Sequence, residues 1–261
     1  MSTMNMRDSV TASTVAPMWG ELRYSGELAG LLARSALRPP QRREDAPPVL
    51  LIPGFMAGDA SLAIMRRWLT RRGHRVATSG ILANVNCAER IVSRLEMRLQ
   101  DLADECDAPV VLIGQSRGGA LARSLAVRDP DSVCGLVTLG SPVCASLAVS
   151  ESVLRTVRWM ARLGDLGVPG LFSSNCHEGE CCESFREHLA APLAPHIEVA
   201  AVYSRSDAIV DWRACLDPYA DCVEVDSSHC GMSVHPGVYR VLERVLNDAE
   251  TSLQPLAASA A

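Results

Sequence analysis

The stretch that most constrains the fold of this chain runs from Val110 to Ala120 and reads VVLIGQSRGGA. Its first four residues, Val110 to Ile113, are apolar and rich in β-branched types, which predicts a short buried strand. Small and apolar residues return from Ala120 onward with the spacing of a helix packed on a sheet. Between strand and helix stands a G-x-S-x-G pentapeptide, Gly114 to Gly118. The pattern therefore predicts a sharp turn that presents Ser116 at the N-terminus of a helix, where negative charge is favoured.

The same alternation of strand and helix extends along most of the chain. Further strands are predicted at 49–52, 75–78, 133–139, 196–203 and 221–226, and further helices at 19–37, 59–72, 88–102 and 238–246. This order is typical of a mostly parallel sheet with right-handed crossovers. A chain of 261 residues, 48% of them hydrophobic, is long enough to bury the core of one large α/β domain.

One long segment, residues 143–195, interrupts the alternation. It has no clear strand, and about fifty residues are too many for a simple connection. We predict that 143–195 is an inserted cap or lid on a core formed by 49–142 and 196–250. Its apolar residues, among them Trp159 and Phe172, are expected to face either the core or an acyl chain, although an insertion packed on the flank of the domain is the alternative. We interpret 1–48 as an N-terminal tail with a surface helix, and 251–261 as a second tail.

Composition and charge exclude several classes of function. A net charge of −5 leaves no electrostatic footprint for nucleic acid. All 25 basic residues are arginines, which excludes Schiff-base chemistry and a phosphate-binding loop built on lysine. No apolar run reaches the length of a transmembrane segment, about 18 residues. No secretory signal is visible at the start of the chain, so a cytoplasmic protein is expected.

A serine hydroxyl is a poor nucleophile unless a base removes its proton and a third group orients that base. The chain offers Ser116, an aspartate after the predicted strand 196–203, and His229 after the last predicted strand. Active sites of open α/β sheets collect at the carboxyl ends of the strands, where all three candidates lie. Asp207 and Asp211 compete for the role of the acid. We favour Asp207, which is closer to the strand end, and expect Asp211 to cap the short helix that follows it.

Four sequence motifs together resemble the α/β-hydrolase superfamily, in particular its bacterial lipase- and esterase-like members. They are Pro53-Gly-Phe after a strand, Gly114-Gln-Ser-Arg-Gly-Gly, Ser204-Arg-Ser-Asp-Ala-Ile-Val and Ser228-His-Cys-Gly-Met. The resemblance covers about residues 49–250. It implies an α/β-hydrolase fold, a mostly parallel central sheet flanked by helices with an inserted cap, although the usual early antiparallel strands are not visible before residue 49.

The resemblance also implies roles for individual residues. Ser116 would be the nucleophile, His229 the base and Asp207 the orienting acid, while the backbone amides of Phe55 and Arg117 would form the oxyanion hole. Many members of the superfamily have His-Gly where this chain has Pro53-Gly54, a departure that leaves the amide of Phe55 in place.

We expect a serine hydrolase that cleaves a small-molecule or lipid ester and uses no cofactor. Transfer of the acyl group to an acceptor other than water uses the same three residues and stays open. A non-catalytic binding protein on a hydrolase fold is a third interpretation, which a fluorophosphonate probe for activated serines would separate from the other two.

The chain contains ten cysteines, which is a large number for a cytoplasmic protein. The segment Cys176-His-Glu-Gly-Glu-Cys-Cys182 is compatible with zinc, with a disulfide from Cys176 to Cys181 or Cys182, or with free thiols. The adjacent pair Cys181-Cys182 is an uncommon zinc spacing, so no metal site is assigned, and a disulfide is preferred. Cys215 and Cys222 form a second candidate pair.

Overall fold

The computed structural model of the protein describes residues 23–37, 46–145 and 147–258. Its six strands are β1 (Val49–Ile52), β2 (Val76–Thr78), β3 (Val110–Gln115), β4 (Val133–Leu139), β5 (Glu198–Tyr203) and β6 (Asp221–Glu224). All residues of β1, β3 and β4 are buried, as expected for central strands that are covered on both faces. The strands at 49–52 and 133–139 begin and end where the sequence predicts.

The strands form one parallel sheet in the order β2-β1-β3-β4-β5-β6. The chain leaves β1 toward one edge to form β2, and then returns to place β3 on the other side of β1. The crevice at this change of direction, beyond the carboxyl ends of β1 and β3, is where open α/β sheets bind their ligands. The all-parallel sheet flanked by helices confirms the predicted fold class, and no antiparallel strand precedes β1 among the described residues.

Helices cover both faces of the sheet. They are α1 (Tyr24–Leu37), α2 (Ala63–Arg71), α3 (Ala88–Cys106), α4 (Arg117–Arg128), α5 (Glu151–Asp165), α6 (Asn175–Glu178), α7 (Glu183–Ala190) and α8 (Pro236–Ala258). Helices α1, α2 and α8 pack into one core layer, while α3, α4 and Phe185 of α7 pack into the other. In the described residues, no helix has both the length and the apolar character that crossing a membrane requires.

The boundaries of several helices differ from the prediction. The helix predicted at 59–72 begins as a 3-10 turn, Asp59–Leu62, and continues as α2. Helix α8 extends to Ala258 and so covers most of the residues that the sequence assigns to a tail. Residues 1–22, 38–45 and 259–261, which include most of the predicted N-terminal tail, lie outside the described residues.

The segment 143–195 folds into α5, α6 and α7, with no strand in its described residues apart from a single bridge between Val149 and Val210. Its three helices do not share one environment. Phe185 of α7 packs into the core layer of α3 and α4, whereas Trp159 on α5 is 60% exposed. Trp159 is therefore neither buried in the core nor on the wall of a cavity beside Ser116, contrary to the expectation for the apolar residues of this segment.

A buried ion pair ties three parts of the structure together. The Nε of Arg123 on α4 donates to Asp217 Oδ2 over 2.5 Å, and both side chains are almost completely buried. The same guanidinium donates to the backbone oxygens of His188 and Ala191 at the end of α7. Because these bonds satisfy both charges, the pair holds α4, α7 and the loop before β6 in register.

Candidate active site

Ser116 stands between β3 and α4 with φ 53° and ψ −124°. Non-glycine residues rarely have positive φ, and such a conformation costs about 1–3 kcal/mol. The turn closes because Gly114 and Gly118 lack side chains. A Cβ on Gly114 would lie 2.4 Å from the oxygen of Gly118, and one on Gly118 would lie 2.3 Å from the oxygen of Ile52. The pentapeptide therefore forms the sharp turn that the sequence predicts.

His229 and Asp207 approach each other from the loops after β6 and β5. The distance from His229 Nδ1 to Asp207 Oδ2 is 2.6 Å, and the two residues are 6% and 3% exposed. The other carboxylate oxygen, Oδ1, accepts hydrogen bonds from the backbone amides of Ile209 and Val210. The carboxylate is thus fixed from both sides. Since Nδ1 donates to it, the Nε2 atom of the imidazole carries the lone pair that can accept a proton.

One cavity of about 470 Å³ brings these groups together, because Ser116 and His229 both line its wall. Much of the opposite wall comes from the segment 143–195. Val153 and Val157 on α5 contribute one face of that helix, and Phe172 and Phe185 contribute aromatic rings. The space beside Ser116 is therefore mostly apolar, as is usual for a pocket that takes a small organic molecule.

Asp211 has a different partner from the one Asp207 has. Its side chain accepts a hydrogen bond from the backbone amide of Arg213 over 3.0 Å and so caps the 3-10 helix Trp212–Cys215. This is the local role that the sequence predicts for it. Of the two aspartates, Asp207 is the one that contacts His229.

The loop after β1 lies directly against the serine turn. A Cβ on Gly54 would lie only 3.2 Å from the Cβ of Ser116. Asn84 holds this loop, since its Nδ2 donates to the oxygen of Pro53 over 2.8 Å and its backbone oxygen accepts from Met56. Among the described residues, the backbone amides of Phe55 and Arg117 donate to no protein acceptor. Two unused donors therefore flank Ser116, as a site for a developing oxyanion requires.

The side chain of Arg117 points away from the amide that flanks Ser116. Its guanidinium donates to the backbone oxygens of Asn84 and Asn86 and lies 5.5 Å from the centre of the Phe172 ring. Burial lowers the pKa of this guanidinium to about 10. It remains a cation at neutral pH and anchors the turn to the loop between β2 and α3.

The sequence does not indicate the carboxylate that positions the histidine loop, residues 225–229 after β6. Glu27 on α1 is buried, and its two oxygens accept from the backbone amide and the hydroxyl of Ser228, each over 2.9 Å. The loop is held from its other side by Gln115, whose Nε2 donates to the backbone oxygen of His229 over 3.1 Å. No local sequence signal indicates Glu27, because its partner is 201 residues away in the chain.

A cluster of four cysteines lies beside the cavity. It contains Cys176, Cys181 and Cys182, which the sequence singles out, and Cys87, which it does not. The four sulfur atoms lie within 4.8 Å of one another, and no pair of them forms a disulfide. The side chain of His177 lies outside the described residues.

The second predicted cysteine pair is not joined either. Cys215 and Cys222 are separate thiols, and each donates to a backbone oxygen, of Asp211 and Asp217 respectively. Burial raises the pKa of the Cys222 thiol. The preferred disulfide of Cys176 is therefore wrong, and the candidate pair of Cys215 and Cys222 is not a disulfide either.

No protein-family model matches the sequence, and no curated protein does. Several solved structures do match in three dimensions. A mature Bacillus licheniformis lipase superposes with a TM-score of 0.60 and 15% identity, over 80% of this chain and 96% of that one. A monoglyceride lipase of Saccharomyces cerevisiae superposes with a TM-score of 0.56 and 15% identity, over 82% of this chain and 88% of that one. A thermophilic carboxylesterase from a metagenomic library superposes with a TM-score of 0.55 and 17% identity, over 90% of this chain and 97% of that one.

These likenesses show that the chain has the α/β-hydrolase fold. The shared architecture extends over most of both chains in each comparison. At such low identity the comparisons establish the fold alone. The reaction that the protein catalyses depends on the residues at the carboxyl edge of the sheet.

Proposed function

We propose that the protein is a serine hydrolase that cleaves carboxylic esters through an acyl-enzyme, with Ser116, His229 and Asp207 as its catalytic triad. The observation that carries the proposal is the shared cavity, in which Ser116 on its strained turn and the Asp207-paired His229 face the same space. The fold supports the proposal, since lipases and esterases are among its structural neighbours.

The proposed reaction proceeds through an acyl-enzyme. Ser116 Oγ attacks the carbonyl carbon of the ester while His229 Nε2 takes the hydroxyl proton. The carbonyl oxygen becomes an oxyanion, which the amides of Phe55 and Arg117 stabilise. The C–O bond to the alcohol then breaks, and the alcohol leaves with the proton from His229.

Hydrolysis of the acyl-enzyme repeats these steps with water as the nucleophile. His229 removes a proton from the water as its oxygen attacks the acyl carbon, and then returns that proton to Ser116 as the carboxylic acid leaves. Asp207 stays ionised throughout and stabilises the imidazolium that forms in each half of the reaction.

The apolar wall of the cavity favours a substrate with an apolar acyl group. Val153, Val157 and Phe172 come from the segment 143–195 and present apolar surface toward Ser116. We infer that this segment is a cap that selects the acyl chain of a lipid or other acyl ester. Pockets of this kind gain affinity for each methylene group that they remove from water, about 0.8 kcal/mol per group.

A fluorophosphonate probe together with a series of p-nitrophenyl esters of increasing chain length tests the proposal. We expect the probe to label the purified protein at one residue, Ser116, and the protein to hydrolyse the esters. Ser116→Ala removes the nucleophile and is expected to abolish labelling and to lower kcat on the order of 10⁶-fold. Ser141→Ala, at another strand end of the same edge, is the matched control. Full activity in the Ser116→Ala variant would refute the proposal.

A further inference from the structure

We propose that Cys87, Cys176, Cys181 and Cys182 bind a single zinc ion as a structural site with four thiolate ligands. The ion would join the 3-10 turn Glu180–Cys182 and helix α6 to the N-terminal end of α3. The inference is independent of the proposed esterase activity, since none of the four residues belongs to the triad.

The spacing of the sulfur atoms carries the proposal. In a tetrahedral site with zinc–sulfur bonds of about 2.3 Å, neighbouring sulfur atoms are about 3.8 Å apart. Cys87 Sγ lies 3.5 Å from the sulfurs of both Cys181 and Cys182, and Cys176 Sγ lies 3.8 Å from that of Cys181. All six distances are within 4.8 Å. Three of the distances are thus close to the edge of a zinc tetrahedron, and the other three are short enough for one ion to reach all four sulfur atoms.

The same distances do not favour two disulfides. A disulfide requires an S–S separation of about 2.05 Å and uses each sulfur once. Cys87 is equally close to two partners, and one of them, Cys181, is also close to Cys176. Each sulfur is placed toward a common centre rather than toward one partner, which is the arrangement that a shared metal ion imposes.

The backbone around the cluster is prepared for thiolates. Cys87 is the N-cap of α3, a helix of 19 residues whose N-terminus favours negative charge. The backbone amide of Arg90 donates a hydrogen bond to the sulfur of Cys87. The amide of Glu89 makes the corresponding hydrogen bond to Cys182. Amide–sulfur hydrogen bonds of this kind orient ligands in metal sites.

Arg117 would offset part of the negative charge of a zinc site. Binding of one Zn²⁺ to four thiols releases four protons and leaves a complex with a net charge of −2. Arg117 supplies a nearby positive charge, since the thiolates of Cys182, Cys87 and Cys176 act on its guanidinium electrostatically. Soft thiolate ligands in a tetrahedral set select zinc over the hard cations magnesium and calcium. With four protein ligands the ion has no open position, so its role is structural rather than catalytic.

The position of the site gives it a consequence for the cavity. Cys176 lines the cavity, and Phe185, which also lines it, follows Cys182 on the next helix. A zinc ion here would hold this part of the wall in addition to the hydrogen bonds that Arg123 makes at the end of α7. The metal would thus stabilise the shape of the pocket without contact with the substrate.

Metal content of the untagged protein, purified without chelators, is the first test. We expect about one zinc per chain by inductively coupled plasma mass spectrometry. After replacement by Co²⁺, we expect the intense visible absorption of tetrahedral cobalt thiolate. Alkylation of the folded protein is expected to count four more free thiols after zinc is removed than before. A metal-free protein with two disulfides, or a chain that holds iron instead of zinc, would overturn the proposal.

Single variants test which residues hold the ion. Cys87→Ser and Cys176→Ser are each expected to lower the zinc content at least tenfold. Cys106→Ser is the matched control, since Cys106 lies at the other end of α3 and outside the cluster. An undiminished zinc content in Cys87→Ser would contradict the assignment. If a variant does not fold, the cobalt spectrum and the thiol count of the unaltered chain decide the question alone.

Discussion

Asp207 and Asp211 are close in the sequence, and the difference between them is one of hydrogen-bond partners. Asp207 divides its two oxygens between His229 and the amides of Ile209 and Val210, whereas Asp211 caps a 3-10 helix. An orienting acid has to be held firmly on one side so that it can hold an imidazole on the other. Only the first arrangement does so.

We therefore predict opposite outcomes for two conservative substitutions. Asp207→Asn is expected to lower kcat by about 10⁴-fold, because the amide no longer fixes the proton on Nδ1 or stabilises the imidazolium. Asp211→Asn is expected to leave kcat within about twofold of the original value, because an asparagine also caps helices. Steady-state hydrolysis of one p-nitrophenyl ester by both variants distinguishes the roles. The reverse ranking would move the acid to Asp211.

The residues that the sequence predicts and those that it misses differ in how far away their partners lie. Ser116 and the glycines of its turn are recognisable because they depend on neighbours in the chain. Glu27, Asn84 and Cys87 are not recognisable, because their partners are 201, 31 and 95 residues away. Periodicity and turn signals report local structure, so the three proposed catalytic residues could be singled out, whereas most of the residues that position them could not.

Among the helices, α1 has a second role that its sequence pattern does not predict. Its pattern predicts a surface helix, and its apolar face does pack on the core through Leu31. It also carries Glu27, which holds Ser228, the residue directly before His229. The helix therefore serves as a support for the histidine loop as well as a cover for the sheet.

Glu27→Ala is expected to lower kcat by about tenfold to hundredfold while KM changes little, because the histidine loses its fixed position. Glu27→Gln, which keeps one acceptor for Ser228, is expected to restore most of the activity. Arg23→Ala removes the exposed contacts with Asp226 at the same interface, an ion pair and a hydrogen bond to the backbone oxygen, and serves as the control. The rate of fluorophosphonate labelling should follow kcat. A change confined to thermal stability would assign Glu27 a purely structural role.

The segment 143–195 can be tested through its two large aromatic side chains. Phe172 is 2% exposed and lines the cavity, whereas Trp159 on α5 is 60% exposed. If the segment is a cap, Phe172→Ala should change the ratio of kcat/KM for long and short acyl esters, about tenfold for an apolar contact of this size. Trp159→Ala should leave the ratio unchanged. Equal ratios in both variants would indicate an insertion without a part in selectivity.

At the scale of the whole molecule, stability depends on charges inside the structure as well as on apolar packing. The side chains of Arg123 and Asp217 are 1% and 2% exposed. If one of them is removed, water cannot solvate the charge of the other. Because the desolvation of both charges is already complete, removal of one of them leaves the other unpaired in a medium of low dielectric constant.

We predict that Arg123→Met lowers the free energy of unfolding by about 3–5 kcal/mol, measured by urea denaturation. Combination with Asp217→Asn is expected to recover part of this loss, because the second change removes the stranded charge. The exposed pair Arg75 and Glu105 is the comparison, and Arg75→Ala should cost less than about 1 kcal/mol. A single variant as stable as the original chain would show that solvent reaches the pair.

The order of the strands has a consequence for how the protein gains its activity. Phe55, Ser116, Asp207 and His229 follow β1, β3, β5 and β6, so the candidate site spans most of the width of the sheet. Parallel pairing with long crossovers is slow to form, since distant parts of the chain must meet before they stabilise one another. A sheet that lacks β1, β3, β5 or β6 does not have all four groups in place. During refolding, secondary structure should therefore return first, and turnover only when these four strands are all paired.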